Sequence, residues 1–206
     1  MLTLLFSKGS SALAAHILLE EVGLPYVAQE VSIPQGQHRT PEFLQVNPKG
    51  RLPVLHTPHG PLTENPAILE YIAAAHPEAG LVPASTFDQA RARALCAYLC
   101  ATVHVAFAHK QRGARWATSP QALDDMKQLV PKNMIDCADI LEAQCQEGPW
   151  ALGRAYSFAD PYLYLFGRWM AANDLDLANH PRLAEHSSAM RARPATQAAL
   201  SAQDLN

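Results

Sequence analysis

Apolar residues alternate or recur with helical spacing over the first 75 residues, and this pattern predicts a mixed sheet with helices. The first elements follow the order strand, helix, strand, which implies a parallel pair joined by a right-handed crossover. A later hairpin around Pro58-His59-Gly60 adds antiparallel strands. The predicted elements are a strand at 2–6, a helix at 11–22 ended by Gly23, a strand at 26–33, a helical turn at 41–46, hairpin strands at 52–56 and 60–62, and a helix at 66–75.

Beyond residue 76 the pattern contains only helical signals. Residues 77–86 break the periodicity with Gly80 and Pro83. We therefore predict an α+β fold: a βαβ-ββα domain at 1–76, a linker at 77–86 and an all-helical domain at 87–206. The predicted helices are 88–112, 120–146 with a kink at Pro131, an apolar and therefore central helix at 158–173 preceded by the capping-box pattern Ser157-Phe158-Ala159-Asp160, 181–193, and a short helix at 194–202.

Composition and charge exclude several classes of protein. Of the 206 residues, 49% are apolar and 17% are charged, which is typical of a globular, soluble chain. A formal net charge of −3 gives no general attraction to nucleic acid or to an anionic membrane. We expect no apolar run to span a bilayer, and the apolar start is too short for a signal peptide. The four cysteines form no Cys-x-x-Cys motif, so we predict a cytoplasmic protein without a dithiol centre.

The stretch from Asn47 to Leu55 predicts a ligand-binding edge. It forms a turn that leads into a short apolar strand, and Pro53 belongs at the beginning or edge of that strand because proline donates no ladder hydrogen bond. A free edge accepts an extended peptide as an additional strand. Downstream, Asn65 as N-cap and Pro66 predict a helix start, whose free N–H groups form a site for a carboxylate. Together these features predict a small, acidic, peptide-like ligand.

These two stretches resemble the glutathione site of the cytosolic glutathione transferases. The motifs are Asn-Pro-x-Gly-x-x-Pro-x-Leu at 47–55 and Leu-Thr-Glu-x-x-Ala-Ile-x-x-Tyr at 62–71, and the similarity extends along nearly the whole chain, closest to the bacterial beta-like class. The resemblance implies a thioredoxin-like first domain, a cis Leu52–Pro53 peptide and pairing of the Leu52 backbone with the cysteinyl unit of glutathione. It also implies that Glu64 and Asn65 bind the γ-glutamyl end, and that the protein is a homodimer whose partner subunit helps to complete the pocket.

Ser10 and Ser11 precede the first helix, where a hydroxyl acts either on a ligand or on the helix itself. A free thiol has a pKa of about 8.5. Donation from a hydroxyl to the sulfur, together with the helix dipole, lowers that pKa and raises the thiolate fraction. In the alternative interpretation a serine only caps the helix. Ser11 stands where the beta-like class has a cysteine, and this departure disfavours mixed-disulfide chemistry while it remains compatible with conjugation.

His104 lies where the beta-like class places a histidine that faces the thiol. A histidine donates to a thiolate or moves a proton near neutral pH; the alternative is a structural histidine between helices. Cys96 and Cys100 precede it at four-residue spacing, so the three residues share one helical face, as metal ligands do. Because a further ligand is missing, we predict no metal.

Cationic residues are candidates for binding the carboxylates of glutathione. Lys49 is either a solvated loop cation or the partner of a ligand carboxylate, and Arg51 is the weaker candidate of the pair. Beta-like relatives have a lysine in the loop at 35–39, and His38 or its neighbours Gln37 and Arg39 are candidates to replace it.

A pocket for the second substrate is predicted at the end of the long helix and in the loop that follows. Its candidate residues are Phe107, Arg112, Arg115 and Trp116. An aromatic side chain at this position stacks on a substrate ring, whereas in the alternative Trp116 packs under the loop.

The sequence therefore predicts a glutathione transferase that uses glutathione as co-substrate and attacks small electrophiles. Ser11, assisted by Ser10 or His104, is predicted to bind the glutathione thiolate. One alternative is another glutathione-dependent enzyme, such as an isomerase, dehalogenase or peroxidase, which uses the same activated thiol. The other is a non-catalytic binder of glutathione or apolar ligands, in which Ser10 and Ser11 only cap the helix.

Overall fold

The computed structural model describes residues 1–205, and its first 75 residues form one four-stranded sheet with helices. Strands and helices follow one another in the order that the spacing of apolar residues predicts, so the βαβ-ββα order is confirmed. The elements are β1 (Leu2–Phe6), α1 (Ala12–Val22), β2 (Tyr26–Glu30), a 3₁₀ turn (Gln37–Arg39), α2 (Pro41–Val46), β3 (Val54–Thr57), β4 (Gly60–Thr63) and α3 (Asn65–Ala75).

The strands are ordered β2-β1-β3-β4. β1 is parallel to β2 and antiparallel to β3, and β3 is antiparallel to β4, as the crossover and the hairpin predict. β2 ends at Glu30, three residues before the predicted end. The reason is that the Ile33 N–H donates to the Ser7 hydroxyl at 3.2 Å, which turns the chain out of the ladder.

The remainder of the described chain is helical. Its elements are a 3₁₀ turn (Pro77–Ala79), α4 (Thr86–Tyr98), a π-helical segment (Leu99–Val103), α5 (His104–Arg112), a 3₁₀ turn (Gly113–Arg115), α6 (Pro120–Gln144), α7 (Asp160–Ala171), α8 (Pro181–Ala192) and α9 (Pro194–Ala202). The single helix predicted at 88–112 is thus interrupted by the π-helical segment directly before His104. Pro131, where the sequence predicts a kink, lies inside α6, and the helix continues on both sides of it.

α7 is the central helix of this half, and nearly all of it is buried. Its start differs from the prediction, because residues 157–159 form a turn and the helix begins at Asp160. The fully buried Asp160 carboxylate (0% exposed) accepts hydrogen bonds from the Ser157 N–H at 2.7 Å and from the Ala151 N–H at 2.7 Å. His186 Nε2 lies 3.1 Å from the same carboxylate. Asp160 therefore ties the start of α7 to the loop before it and to α8.

One hydrophobic core connects the sheet half to the helical half. α1 packs against α3, α7 and α9, and the buried His16 on α1 accepts a hydrogen bond from Gln203 at 2.9 Å. A smaller apolar cluster lies on the other face of the sheet, around Val54 and Phe43. The domain limits at residues 76 and 87 remain a prediction, because this core crosses them.

One helical stretch is longer and more apolar than the sequence analysis expects. Within the helical stretch Thr86–Arg115, one window of 18 residues has a mean hydropathy of 1.2, which by length and composition alone is enough for a membrane-spanning helix. The expectation concerned uninterrupted apolar runs, and charged residues and histidines interrupt this stretch, so the expectation stays a prediction. The core helix of a globular protein passes the same test of length and composition.

Candidate active site

A cleft of about 520 Å³ lies between the sheet half and the helices α5 and α7. It collects side chains that are up to 159 positions apart in the chain, from Ser10 to Trp169. Of the predicted site residues, Lys49 and the alternatives Gln37 and Arg39 do not line the cleft. The predicted residues that do line it are Ser10, Ser11, His38, Arg51, Leu52, Pro53, Glu64, Asn65, His104, Phe107, Arg112, Arg115 and Trp116.

The two serines lie at the start of α1, and their hydroxyls have different surroundings. Ser11 has helical backbone angles (φ −62°, ψ −10°), and its hydroxyl makes no capping hydrogen bond. Ser10 Oγ accepts a hydrogen bond from the Ala12 N–H at 3.3 Å. Ser11 is 9% exposed, and that exposure faces the cleft. The capping alternative therefore does not describe Ser11, whose hydroxyl is available to a ligand.

The start of α3 differs from the prediction by one residue. Glu64, with φ 74°, is the N-cap, because its carbonyl accepts from the Ile68 N–H at 3.0 Å, and the helix begins at Asn65. The predicted N-cap, Asn65, instead donates from Nδ2 to the Ser11 carbonyl at 2.7 Å. Its Oδ1 is buried and has no hydrogen-bond partner among residues 1–205. Asn65 therefore joins the start of α3 to the serine turn, and it lines the cleft with one acceptor that these residues leave without a partner.

The turn before β3 is fixed by Asn47, which is 1% exposed. Its Nδ2 donates to the Arg51 carbonyl at 2.7 Å, and its Oδ1 accepts from the Lys49 N–H at 3.2 Å. Gly50 has φ 57°, and a Cβ at this position would lie 2.6 Å from the Arg39 guanidinium. The Leu52–Pro53 peptide that follows is cis, as the resemblance implies. This turn presents the Leu52 backbone to the cleft.

Lys49 is bound by its neighbours in the structure. Its ammonium donates to Glu64 Oε1 at 2.5 Å and to Thr63 Oγ1 at 2.7 Å. A direct contact from Lys49 to a ligand stays a prediction. Arg51, which the sequence ranks below Lys49, lies in the wall of the cleft itself.

His104 faces the cleft as a neutral imidazole. The Arg112 guanidinium lies 2.9 Å from His104 Nε2, and since arginine only donates, Nε2 is the acceptor and Nδ1 has the proton. Burial, and then the positive charges of Arg112, Arg51 and Arg115, lower the pKa of His104 to about 4. His104 can therefore donate a hydrogen bond at neutral pH, but it is not a cation there.

Aromatic side chains form the wall on the helical side. Phe107 stacks on Trp169, with ring centroids 5.2 Å apart and an interplanar angle of 14°. The His104 ring lies 4.8 Å from Trp169. Trp116 is 47% exposed and meets His109 edge to face at 4.7 Å, so it lies at the mouth of the cleft rather than under the loop. This wall offers apolar area to a second ligand.

Cys100 lines the cleft, whereas Cys96 is buried behind it. Burial raises the pKa of the Cys96 thiol to about 12 and also raises the pKa of Cys100. In the part of the chain that the structure describes, no three histidine, cysteine or carboxylate side chains converge as metal ligands. A separate cavity of about 360 Å³ between α4 and α6 contains none of the predicted site residues.

Comparison with known proteins decides the family. Residues 2–74 match the family model of the glutathione S-transferase N-terminal domain. A glutathione S-transferase of Xanthomonas campestris pv. campestris is 30% identical over 207 residues, which cover 98% of this chain and 99% of that protein. The chain belongs to the glutathione S-transferase family.

Solved glutathione transferases have the same fold over the whole chain. A transferase homologue from Sulfitobacter, determined with bound glutathione, superposes with a TM-score of 0.95 at 39% identity and covers 100% of this chain and 99% of its own. A beta-class transferase of Sphingomonas chungbukensis has a TM-score of 0.85 at 31% identity, covering 99% and 100% of the two chains. The predicted resemblance to bacterial transferases is confirmed.

Several residues of this transferase cleft were missed in the sequence, among them Lys110 on α5 and two on α7. Tyr162 and Trp169 line it from α7, a helix that its apolar composition identifies only as core. They are seven residues apart and therefore share a face. Cys100 and Phe107 have the same separation on the facing helix. The sequence does contain this signal, because each of the two helices has a polar and an aromatic residue seven positions apart. The spacing does not reveal, however, which helices face each other.

Proposed function

We propose that this transferase binds glutathione in the cleft and activates its thiol for attack on a small electrophile. One observation supports this most directly. The Ser11 hydroxyl makes no capping hydrogen bond, and it lies at the positive end of α1 in the same cleft as the Leu52 backbone. A cysteinyl unit paired with Leu52 brings its sulfur towards that hydroxyl. The hydroxyl then donates to the thiolate and lowers the pKa of the thiol.

The two ends of glutathione have complementary groups on either side. At the γ-glutamyl end, the Glu64 carboxylate and the unpartnered Asn65 Oδ1 accept from the ammonium, and the N–H groups at the start of α3 bind the carboxylate. At the glycyl end, His38 and Arg51 line the cleft as donors to the second carboxylate. Lys49 acts through Glu64, whose position it fixes.

The reaction requires little from the protein beyond positioning and thiolate stabilisation. The thiol proton leaves to solvent, the sulfur forms a bond to the electrophilic carbon, and the leaving group departs with its electron pair. His104 is neutral, so its Nδ1–H is a donor to the thiolate or to the leaving group and does not act as a general acid through a charged imidazolium. Ser10 is the second hydroxyl within the same turn.

Titration of glutathione into the purified protein, followed by thiolate absorbance against pH, tests this proposal. We expect binding and a thiol pKa well below that of free glutathione. Binding with an unshifted pKa would indicate a carrier, and absence of binding would overturn the proposal. Product analysis separates conjugation from isomerisation, because an isomerase returns glutathione unchanged.

We also propose that the protein is a homodimer of the reducing cytoplasm. Apolar side chains such as Phe87 (74% exposed) and Leu129 (51% exposed) lie uncovered on α4 and α6 of the isolated chain. All four cysteines are free thiols, as a reducing compartment keeps them. Sedimentation at several concentrations tests the dimer: a mass of twice 22.5 kDa is expected, and a constant monomer mass would contradict it.

A further inference from the structure

The wall of the cleft is cationic, although the chain has a net charge of −3. Its charged side chains are Arg51, Lys110, Arg112 and Arg115, against one carboxylate, Glu64. That carboxylate is already bound by Lys49. The cleft therefore has an excess of positive charge that the rest of the chain does not share.

The arginines of this wall have no carboxylate partner. Within residues 1–205, no carboxylate oxygen lies within 4.0 Å of the guanidinium of Arg51, Arg112 or Arg115, whereas Arg93 and Arg193 elsewhere are both paired. Lys110 is different, because its ammonium donates to the Ala172 carbonyl at 2.7 Å. Like charges that are partly buried together repel one another. Burial and the neighbouring charges of Arg115 and Arg51 accordingly lower the pKa of Arg112.

Glutathione does not account for all of this charge. It has two carboxylates: one belongs at the start of α3, and the other lies near Arg51 and His38 on the sheet side. Arg112 and Arg115 are on the helical side, at the end of α5 and in the turn after it, although Arg115 is close enough to His38 for its charge to lower the pKa of that histidine. They adjoin the aromatic wall of Phe107 and Trp116, where the second substrate enters. Two guanidinium groups beside an aromatic surface are suited to a planar anion, because arginine binds carboxylates through paired N–H groups.

We propose that the electrophile of this transferase is an aromatic or conjugated carboxylate, whose charge is bound by Arg112 and Arg115 and whose apolar part lies on Phe107 and Trp116. This inference rests on the proposed glutathione transferase function and specifies its substrate class. An uncharged electrophile of the same shape leaves the two guanidinium groups without an anionic partner, and is therefore the poorer substrate.

Two matched electrophiles test the inference: 4-chloro-3-nitrobenzoate and 4-chloro-3-nitrobenzamide. In both, the glutathione sulfur forms the C–S bond and chloride leaves. For each, kcat/KM is divided by the rate constant of the uncatalysed reaction, which removes the difference in intrinsic reactivity. We expect the benzoate to be preferred at least tenfold, a difference of about 1.4 kcal/mol. Equal values would overturn the inference and leave the transferase function intact.

Substitution of one arginine identifies the source of the preference. Arg115→Gln is expected to reduce the benzoate preference at least fivefold, with little change for the benzamide. Arg154→Gln is the matched control, because Arg154 is an exposed cation outside the cleft and its loss changes the net charge equally. If Arg115→Gln raises only the KM for glutathione and leaves the preference unchanged, the arginine serves glutathione and the inference is wrong.

Salt provides a readout on the unmodified protein. Raising the ionic strength from about 0.1 M to 1 M shortens the screening length from about 10 Å to 3 Å. The benzoate preference should then fall, and a preference insensitive to salt would contradict the charge-based explanation. If neither compound reacts, the inference fails, and the thiol pKa of bound glutathione shows separately whether the transferase proposal fails with it.

Discussion

Replacing Ser11 with alanine should raise the pKa of the bound glutathione thiol. The Ser11 hydroxyl makes no capping bond and lies at the start of α1, so its removal costs the helix little and the ligand much. A hydrogen bond to a charged acceptor contributes about 1.5–3 kcal/mol. Since one pKa unit corresponds to about 1.4 kcal/mol, this bond lowers the thiol pKa by roughly 1–2 units.

The dipole of α1 remains in the variant, so the pKa of the bound thiol should not return fully to the value of a free thiol. A helix terminus contributes about 0.3–1 kcal/mol to a nearby charge, which is less than one pKa unit. Starting from about 8.5 for a free thiol, we expect a bound pKa of about 6–7.5 in the natural protein and about 8 in Ser11→Ala. At pH 7, kcat/KM should fall roughly 3- to 10-fold, and the difference should shrink above pH 9, where both thiols are ionised.

Thiolate absorbance of the bound glutathione, measured against pH, is the direct assay. Ser10→Ala is the matched control: the Ser10 Oγ is held at the helix start by the Ala12 N–H, whereas no capping bond holds the Ser11 hydroxyl, so the loss of the Ser10 hydroxyl should shift the thiol pKa less. A Ser11→Ala protein that binds glutathione with an unchanged thiol pKa would refute the reasoning. A larger shift in Ser10→Ala than in Ser11→Ala would assign the thiolate contact to Ser10.

Three further predictions follow from individual contacts. Asp160→Ala removes a fully buried carboxylate and leaves its N–H donors unpaired, so the free energy of unfolding in urea should fall by about 3–5 kcal/mol, and a loss below 1 kcal/mol would contradict this. His104 has a folded pKa of about 4 and an unfolded pKa of about 6.5, so the unfolded chain binds more protons between these values. Stability should therefore fall from pH 7 to pH 5, by about 2 kcal/mol more in the natural protein than in His104→Gln. Asn65→Ala removes the partner of the Ser11 carbonyl and an acceptor in the cleft, so the KM for glutathione should rise about tenfold, whereas an unchanged KM would exclude Asn65 from binding.

The sheet and most helices could be predicted because they depend on local periodicity. Alternating apolar residues in β1 and β3, and the proline and glycine signals between elements, have the same meaning in any fold. The motif from Asn47 to Leu55 was equally accessible, since its turn is stabilised by Asn47 bonds within four residues. Local chemistry therefore predicts this turn.

The contacts that complete the site could not be predicted, because each depends on residues far apart in the chain. Asparagine is a typical N-cap residue, yet the side-chain amide of Asn65 donates a hydrogen bond to the Ser11 carbonyl, 54 positions away. Lys49 is a cation beside the predicted binding turn, yet it forms an ion pair with Glu64, which only the β3–β4 hairpin brings near. The sequence predicts Trp169 to be a core residue because its helix is apolar on almost every side. Only the packing of α5 on α7 places it in the cleft wall.

The arginines of the cleft and the serine at position 11 bear on the same chemical step. A serine stabilises a thiolate by one hydrogen bond but forms no covalent intermediate, so the reactivity of the sulfur depends on the field around it. The guanidinium groups of Arg51, Arg112 and Arg115, which have no carboxylate partner within residues 1–205, contribute a positive field across the cleft, and that field favours a thiolate and an anionic electrophile alike. Added salt should therefore raise the bound thiol pKa and weaken the benzoate preference together. If the two effects separate, with the preference lost and the thiol pKa unchanged, the arginines act on the electrophile alone and Ser11 with the α1 dipole accounts for the thiolate.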